Sequence, residues 1–205
     1  MLIIGVTGRS GSGKSTVTKH YAALGHPTMD GDAVSREVTG PGSACLEELV
    51  AAFGEEILNP DGTLHRKKLG QIAFSDPEKT KLLNNITHPH IHNETVRRQD
   101  EARAAGAPLF FVDGAAIIGG PYQARCDRIV LVVADQRLSI SRIILRDGIS
   151  KTAAAHRLSA QKPVEELIAA SDYVIENNTS EEALLQKADA VLEKLLREAE
   201  EAEQR

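Results

Sequence analysis

The chain has 205 residues, of which 41% are hydrophobic and 26% charged, so it is long enough to bury a sizeable core. The longest continuous apolar run covers residues 129–134, which is far too short to cross a bilayer. The first residues carry neither the basic stretch nor the apolar stretch of a secretory signal. These features predict a cytoplasmic globular protein that has no membrane partner.

The charge balance also limits the range of partners. A net charge of −5, from 24 basic and 29 acidic residues, argues against a broadly basic surface that coats nucleic acid. A local anion site remains compatible with this charge. The two cysteines, Cys45 and Cys126, are too few for a disulfide scaffold and fit a reducing compartment, so we expect neither to carry chemistry.

Short apolar runs alternate along the chain with helical patterns. The runs are continuous rather than alternating, which is typical of strands buried on both faces of a parallel sheet. They cover residues 2–6, 27–29, 109–112, 129–133 and 173–175. The helical stretches cover residues 15–24, 136–146, 152–160, 164–170 and 181–197. This alternation predicts an α/β fold whose five-stranded parallel sheet is connected by right-handed crossovers.

The second and third predicted strands are separated by a long segment. Residues 33–105 span about seventy positions, whereas a compact crossover needs only about a dozen. The segment is rich in helix formers, with breaks predicted at Pro41-Gly42, Pro60-Asp61-Gly62 and His88-Pro89. It therefore predicts a helical insertion that forms a subdomain, the alternative being extra packing with no ligand role.

The last helix has one apolar stripe, formed by Leu184, Ala188, Val191 and Leu195, that should cover the sheet. Residues 197–205 contain no large apolar side chain. They are therefore predicted to be a frayed, solvated end.

A glycine-rich loop follows the first predicted strand and precedes the first predicted helix. Residues 8–15 read Gly-Arg-Ser-Gly-Ser-Gly-Lys-Ser, which fits the G-x-x-x-x-G-K-S/T phosphate loop in its expected context. Such glycines allow successive N–H groups to line an anion nest at a helix N-terminus. Lys14 would reach the β and γ phosphates, and the Ser15 hydroxyl would bind the bridging Mg²⁺. The motif predicts that the protein binds a nucleoside triphosphate.

Other signatures narrow the class of nucleotide-binding protein. The chain has no Asn-Lys-x-Asp for guanine recognition and no Leu-Ser-Gly-Gly-Gln transporter signal. Its length leaves little room for a motor module. A small phosphotransferase remains.

Phosphoryl transfer needs a carboxylate near the acceptor oxygen, and ligands of parallel sheets lie at the carboxyl ends of strands. Asp30 and Asp32 follow the second strand, and Asp113 follows the third. Asp30 and Asp32 flank a glycine, so one can face the cleft while the other caps a helix that starts near Ala33. Helix capping is the alternative reading of each aspartate taken alone.

Basic residues cluster after the fourth predicted strand. Arg142 and Arg146 lie four apart on one predicted helix, and Arg157 lies on the next, beyond the turn Asp147-Gly148. A helical hairpin with this charge predicts a lid over residues 139–162 that closes on the phosphates. Solvated helix faces are the alternative, above all for Arg157.

With these elements placed, the whole chain resembles the dephospho-coenzyme A kinases, which phosphorylate the 3'-hydroxyl of dephospho-coenzyme A (dephospho-CoA) with ATP. The residues that carry the resemblance are residues 8–16, Asp30-Gly31-Asp32, Arg36-Glu37-Val38, Pro41-Gly42, Asp61-Gly62-Thr63-Leu64, Arg66-Lys67-Lys68-Leu69, Phe74, Pro77, His88-Pro89, Arg142, Arg146-Asp147, Arg157 with Gln161, and Ala170-Ser171-Asp172-Tyr173-Val174-Ile175-Glu176-Asn177. The last pattern is more specific than the phosphate loop.

The resemblance implies a nucleotide-kinase-like P-loop core over residues 1–32, 106–138 and 163–205, a helical acceptor subdomain over 33–105 and the lid. It also implies Asp32 as catalytic base, with Lys14 and a lid arginine, Arg142 or Arg146, neutralising charge on the phosphoryl group. Asp113 would hold a magnesium-bound water. The ATP site would be formed by Gly11, Ser12, Gly13, Lys14, Ser15, Thr16, Asn177 and Asn178. We expect a monomer or weak homo-oligomer.

One departure from the family pattern concerns the acceptor. Many members carry Pro-Leu-Leu-x-Glu after the third strand, whereas this chain has Gly119 at the glutamate position. The phosphate loop alone is equally similar to that of uridine kinase. A nucleoside or small-metabolite kinase and a non-catalytic ATP-sensing module therefore stay open as alternatives.

Overall fold

The computed structural model describes residues 1–120 and 122–204. These residues form two compact units. The sheet unit comprises Met1–Asp30 and Ala102–Arg205, apart from the two residues that are not described, and the helical unit comprises Gly31–Glu101.

The sheet unit is built on parallel strands with helices between them. The strands are β1 (Leu2–Thr7), β2 (Thr28–Asp30), β3 (Leu109–Asp113), β4 (Arg128–Val133) and β5 (Tyr173–Glu176). The helices of the chain are α1 (Lys14–Ala23), α2 (Gly31–Val38), α3 (Ala44–Phe53), α4 (Arg66–Ala73), α5 (Pro77–Ala104), α6 (Gln136–Asp147), α7 (Lys151–Ser159), α8 (Val164–Ala169) and α9 (Glu181–Glu203). Within the described residues the sheet has five strands in the order β2-β3-β1-β4-β5, which confirms the predicted α/β fold.

The centre of the sheet is buried, as the continuous apolar runs predict. Ile4 and Val6 of β1 and Phe111 of β3 have no exposed surface. The ring of Tyr21 on α1 stacks 4.5 Å from that of Phe111, and its hydroxyl donates to the carbonyl oxygen of Ala188 on α9 at 3.0 Å. Helices α1 and α9 therefore cover one face of the sheet and are joined to each other by a buried hydrogen bond.

The predicted frayed C-terminal end is wrong. Helix α9 continues to Glu203, and Ala199 is only 1% exposed in the same core as the predicted stripe. Glu198 accepts a hydrogen bond from the hydroxyl of Tyr173 and pairs with Arg128. The small methyl group of Ala199, four residues after Leu195, is enough to continue the buried face, and a search for large apolar residues misses it.

The helical unit has its own core, formed by side chains of α3, α4 and the connection between them. The core residues are Cys45, Leu46, Leu49, Ile57, Leu64, Leu69 and Ala73. Helix α5 runs through Pro89, so the predicted break at His88-Pro89 is wrong. Proline removes one N–H donor, and the neighbouring turns of this 28-residue helix, anchored by Leu83 and Ile86 on the core, carry the helix past it.

Helices α6 and α7 form a hairpin in the sheet unit. The turn uses Gly148 in the left-handed conformation, at φ 65°, and the hydroxyl of Ser150 caps α7 by accepting from the N–H of Ala153. Ile143, Ala154 and Leu158 form the buried core of the hairpin. In the part of the chain that the structure describes, no helix has the length and apolarity needed to span a membrane.

The packing of α9 predicts a large difference between two leucines. Leu195 is 0% exposed, whereas Leu145 is 90% exposed. Leu195→Ala should lower the free energy of unfolding by about 2–5 kcal/mol, because it removes buried methyl groups and leaves a cavity. The matched control Leu145→Ala should change it by less than about 0.5 kcal/mol. Urea titration of both variants measures this, and equal values would show that α9 does not anchor the core.

Candidate functional site

The glycine-rich loop leaves the carboxyl end of β1, the central strand, and enters α1 at Lys14. Gly11 and Gly13 have φ values of 76° and 98°, in the left-handed region that favours glycine. Gly13 is the N-cap of α1, and no side chain caps that end of the helix. The first N–H groups of α1 therefore lie at the end of the loop, as in an anion-binding nest.

The loop is packed too tightly for side chains at its glycines. A Cβ on Gly11 would lie 2.5 Å from the carbonyl oxygen of Ser139, and one on Gly13 would lie 2.2 Å from the Nδ2 of Asn177. The side chain of Ser12 is buried, and its Oγ has no hydrogen-bond partner among the described residues. The hydroxyl of Ser12 is therefore shielded from a ligand. Its backbone groups are also engaged, since its N–H donates to the carbonyl oxygen of Arg9 at 3.1 Å and its carbonyl oxygen accepts from Asn177.

Lys14 and Asp113 come together at the end of β3. The Nζ of Lys14 forms an ion pair with the Oδ1 of Asp113, whose side chain is only 9% exposed. Thr18, one turn further along α1, donates its hydroxyl to the Oδ2 of Asp113 at 2.7 Å. Both carboxylate oxygens are thus held by α1, and the lysine of the phosphate loop has an ionic partner within the protein.

Sequence reasoning did not identify Thr18, although its spacing from Lys14 is a usable signal. Residues four apart on a helix lie on the same face, so a polar residue at this position faces whatever Lys14 faces. Ser15 is exposed on α1 and Thr16 is partly exposed.

Arg142 and Arg146, which the sequence does not distinguish, have different surroundings. Arg142 donates to the carbonyl oxygen of Gly11 at 3.3 Å and to Asn177. Arg146 is exposed and makes two hydrogen bonds to the carboxylate of Asp147, at 2.7 and 2.9 Å. Arg157 pairs with the same carboxylate. The hydrogen bonds from Arg146 hold the pKa of Asp147 at about 2, so the cluster is fully ionised near neutral pH.

Asn177 and Asn178 follow β5, and they also differ. Asn177 is buried and donates through Nδ2 to the carbonyl oxygen of Ser12 at 2.8 Å. Asn178 is exposed, and its Oδ1 accepts from the N–H of Asp135 at 2.8 Å. The amide of Asn177 is therefore engaged by the phosphate loop, and Asn178 borders the start of α6.

Two further side chains link the phosphate loop to α7 and to the residues that follow it. Gln161 accepts from the N–H of Ser10 at 3.0 Å and donates to its hydroxyl at 3.3 Å. Arg9 donates to the carbonyl oxygen of Leu158 near the end of α7. The sequence pattern of Arg157 with Gln161 points to this segment as part of the family motif. It does not predict that Gln161 contacts the phosphate loop.

The Gly119 position, where many family members have glutamate, is occupied differently in this chain. Gly119 has φ 77°, and a Cβ there would lie 2.1 Å from the Nζ of Lys162. A cavity of about 340 Å³ lies beside the phosphate loop, and its walls include Gly8, Arg9, Ala115, Gly119, Gln161 and Lys162. A lysine ammonium therefore lies next to the place of the missing glutamate side chain.

Asp32 belongs to the helical unit. Helix α2 begins at Gly31 rather than near Ala33, so Asp32 lies in its first turn and Asp30 directly precedes it. Asp32 is exposed. Asp30 is opposite Asp113 in the ladder between β2 and β3, which places the end of β2 at the same sheet edge as the phosphate loop.

The two cysteines lie outside this chemistry. Both thiols are free. Burial raises the pKa of Cys45 and that of Cys126 to about 11, so both stay protonated near neutral pH.

The loop geometry predicts different effects for two glycine substitutions. Gly13→Ala adds a methyl group that collides with Asn177, whereas a Cβ on Gly25, at φ 90°, meets no atom within 4 Å. Gly25→Ala should lose about 1–2 kcal/mol of unfolding free energy from the left-handed backbone, and Gly13→Ala should lose more, because the collision with Asn177 adds to the same backbone cost. Only Gly13→Ala should also weaken ATP binding, by about tenfold or more, since the loop has to shift. Urea titration and calorimetric titration with ATP measure the two effects, and equal ATP affinities would contradict this account of the loop.

The comparisons with known proteins agree with the site. The sequence profile of the dephospho-CoA kinase family matches residues 2–183. A dephospho-CoA kinase of Corynebacterium efficiens is 41% identical, with 96% of this chain and 98% of that protein covered. A crystal structure from Thermus thermophilus is 34% identical at a TM-score of 0.79, with coverages of 95% and 97%. The dephospho-CoA kinase of Campylobacter jejuni is 26% identical at a TM-score of 0.70, with the same coverages. The chain belongs to the dephospho-CoA kinase family, the phosphotransferases that catalyse the last step of coenzyme A biosynthesis.

Proposed function

We propose that the chain transfers the γ-phosphoryl group of ATP to the 3'-hydroxyl of the dephospho-CoA ribose, giving coenzyme A and ADP. The observation that carries the proposal is the pairing of Lys14 with the buried carboxylate of Asp113 beneath a glycine loop, in a chain of this family. ATP binding would exchange a carboxylate for phosphate oxygens as the partner of Lys14. The ammonium would then neutralise charge that develops during transfer.

Asp32 is the residue that we assign as general base. In this role it orients the 3'-hydroxyl of the acceptor and accepts its proton as the phosphoryl group is transferred. Two features support the assignment: Asp32 follows the carboxyl end of β2 by two residues, and it matches the catalytic aspartate of the family's motif.

Arg146 is the lid arginine that we assign to the transferring phosphoryl group. Its guanidinium is exposed and paired with the adjacent Asp147, so it can exchange that partner for a phosphate without breaking buried contacts. The guanidinium of Arg142 already serves the loop backbone and Asn177. In this proposal the lid spans residues 139–162 and supplies charge to the phosphates, and the acceptor subdomain spans residues 33–105.

The Ser15 hydroxyl and the carboxylate of Asp113 fit Mg²⁺, which prefers oxygen donors. Among the residues described, no group of three His, Cys, Asp or Glu side chains could hold a metal, so the ion would be shared with nucleotide oxygens and water. Ser15 would bind it directly and Asp113 through a water molecule. When bound, Mg²⁺ neutralises charge on the triphosphate.

Ser15→Ala should raise the Mg²⁺ concentration needed for half-maximal ATP binding.

The surroundings of the proposed reaction follow from the same assignment. A kinase that forms coenzyme A is expected to act in the cytoplasm on small-molecule substrates. The net charge of −5 argues against a nucleic-acid partner. We propose that the chain acts as a monomer or weak homo-oligomer.

A panel of acceptors tests the reaction. With ATP and Mg²⁺, dephospho-CoA should be phosphorylated at least about 100-fold more efficiently than uridine or shikimate, measured as ADP release and by identification of the product. Preferred phosphorylation of uridine would establish a nucleoside kinase. ATP binding without turnover on any acceptor would establish a nucleotide-sensing module. Either result contradicts the proposal.

Replacing the proposed base gives a second test. Asp32→Asn should lower kcat by about 10²–10⁴-fold, in line with general acid-base contributions, and should leave ATP affinity unchanged. Asp76→Asn is a matched control, because that partly exposed side chain caps the start of α5 with an oxygen that asparagine retains. Steady-state kinetics with dephospho-CoA measure both variants. An Asp32→Asn enzyme with unchanged kcat would exclude this residue as the base.

A further inference from the structure

Two carbonyl oxygens of the phosphate loop are held by side chains from distant parts of the sheet unit. Arg142 on α6 donates through Nη1 to the carbonyl oxygen of Gly11 at 3.3 Å. Asn177, directly after β5, donates through Nδ2 to the carbonyl oxygen of Ser12 at 2.8 Å. The contacts are consecutive along the loop, so they act on adjacent peptide groups.

The two side chains also bind each other. Nη2 of Arg142 donates to the backbone oxygen of Asn177 at 3.1 Å and to its Oδ1 at 3.2 Å. Because Oδ1 accepts from the guanidinium, the other amide atom must be the nitrogen, and it faces Ser12 as a donor. The N–H of Asn177 donates to the carbonyl oxygen of Val133 at 2.8 Å, which ties this pair to β4.

These contacts fix the direction in which the loop presents its N–H groups. In a trans peptide the C=O and N–H bonds point in opposite directions. Of the two peptide groups, the one after Gly11 turns its N–H, that of Ser12, to the carbonyl oxygen of Arg9 at 3.1 Å, which closes a turn in the loop. The carbonyl of Ser12 points at Asn177, so the N–H of Gly13 points away from Asn177 and is the one that this pair of contacts orients. The loop and Asn177 are in close contact, since even a methyl group on Gly13 would overlap Nδ2 of Asn177.

We propose that Arg142 and Asn177 are positioning residues that hold the phosphate loop in its anion-binding form before the nucleotide arrives. They act through the loop backbone, and neither has to touch ATP. The inference rests on the proposed function only in taking the anion to be the triphosphate of ATP. It differs from the sequence-based expectation, in which Arg142 is a candidate for the transferring phosphate and Asn177 forms part of the ATP site.

The guanidinium group of Arg142 donates hydrogen bonds to Gly11 and to Asn177 at the same time. A lysine at this position keeps the positive charge but cannot reach both partners in the same geometry. Arg142→Lys therefore distinguishes a role in positioning the loop by hydrogen bonds from a role in catalysis by positive charge. We expect it to weaken ATP binding about 10–100-fold, as for loss of a hydrogen bond to a buried group, and to change kcat at saturating ATP by less than about threefold.

Asn177→Asp tests the second contact with a side chain of the same shape. It replaces the Nδ2 donor with an oxygen that faces the carbonyl oxygen of Ser12, while Arg142 keeps an acceptor. A comparable loss of ATP affinity is expected, and the double variant should lose less than the product of the single losses, because both act on one loop. Arg137→Lys, on the exposed face of the same helix, is the matched control and should leave ATP affinity unchanged.

The experiment measures three quantities for each variant: the Kd of ATP with Mg²⁺ by calorimetry, kcat and KM for dephospho-CoA, and the free energy of unfolding. The proposal requires a raised Kd of ATP with kcat and the KM of dephospho-CoA nearly unchanged in Arg142→Lys. An unchanged Kd with a 100-fold lower kcat would overturn it and make Arg142 a catalytic residue. Failure of the wild-type chain to phosphorylate dephospho-CoA would instead refute the proposed function and leave the Kd comparison intact.

Discussion

The phosphate loop has to leave N–H groups available to an anion, and this constraint organises the sheet unit. A loop whose amides point toward a ligand turns its carbonyl oxygens toward the protein, where each needs a donor. Here the donors are Arg142 for Gly11 and Asn177 for Ser12, while the side-chain oxygen of Gln161 accepts from the N–H of Ser10. Two glycines follow from this close packing, because the backbone of Ser139 leaves no room for a side chain at Gly11 and the amide of Asn177 leaves none at Gly13.

The charge distribution of the chain is consistent with this arrangement. An overall charge of −5 does not oppose anionic substrates, because the positive charges that matter are few and local. Lys14 is paired with Asp113, and Arg146 with Asp147, so each of these cations has a nearby carboxylate. Each carboxylate reduces the electrostatic repulsion between its cation and the other positive charges near the phosphate loop. These pairs also leave each cation in place to exchange a carboxylate for a phosphate.

The fold and the phosphate loop could be predicted from the sequence because both depend on local patterns. Runs buried on both faces identify a parallel sheet, and the glycine and lysine spacing identifies the loop. Contacts set by tertiary packing could not be predicted. Arg142 and Arg146 are equivalent in sequence, and only the position of α6 shows that one reaches Gly11 while the other reaches Asp147. The end of α9 was mispredicted for a related reason, since the burial of Ala199 depends on the sheet surface beneath it.

The loop is close to the N-terminus, but its shape depends on residues near the other end of the chain. The contacts of Arg142 and Asn177 span 131 and 165 positions of sequence. Asn177 is in place only when β5 has paired with β4, because its N–H is bound to Val133. The glycine motif by itself therefore does not define a nucleotide site. The carbonyl oxygens of Gly11 and Ser12 obtain their donors only when α6 has packed beside the loop and β5 has joined the sheet.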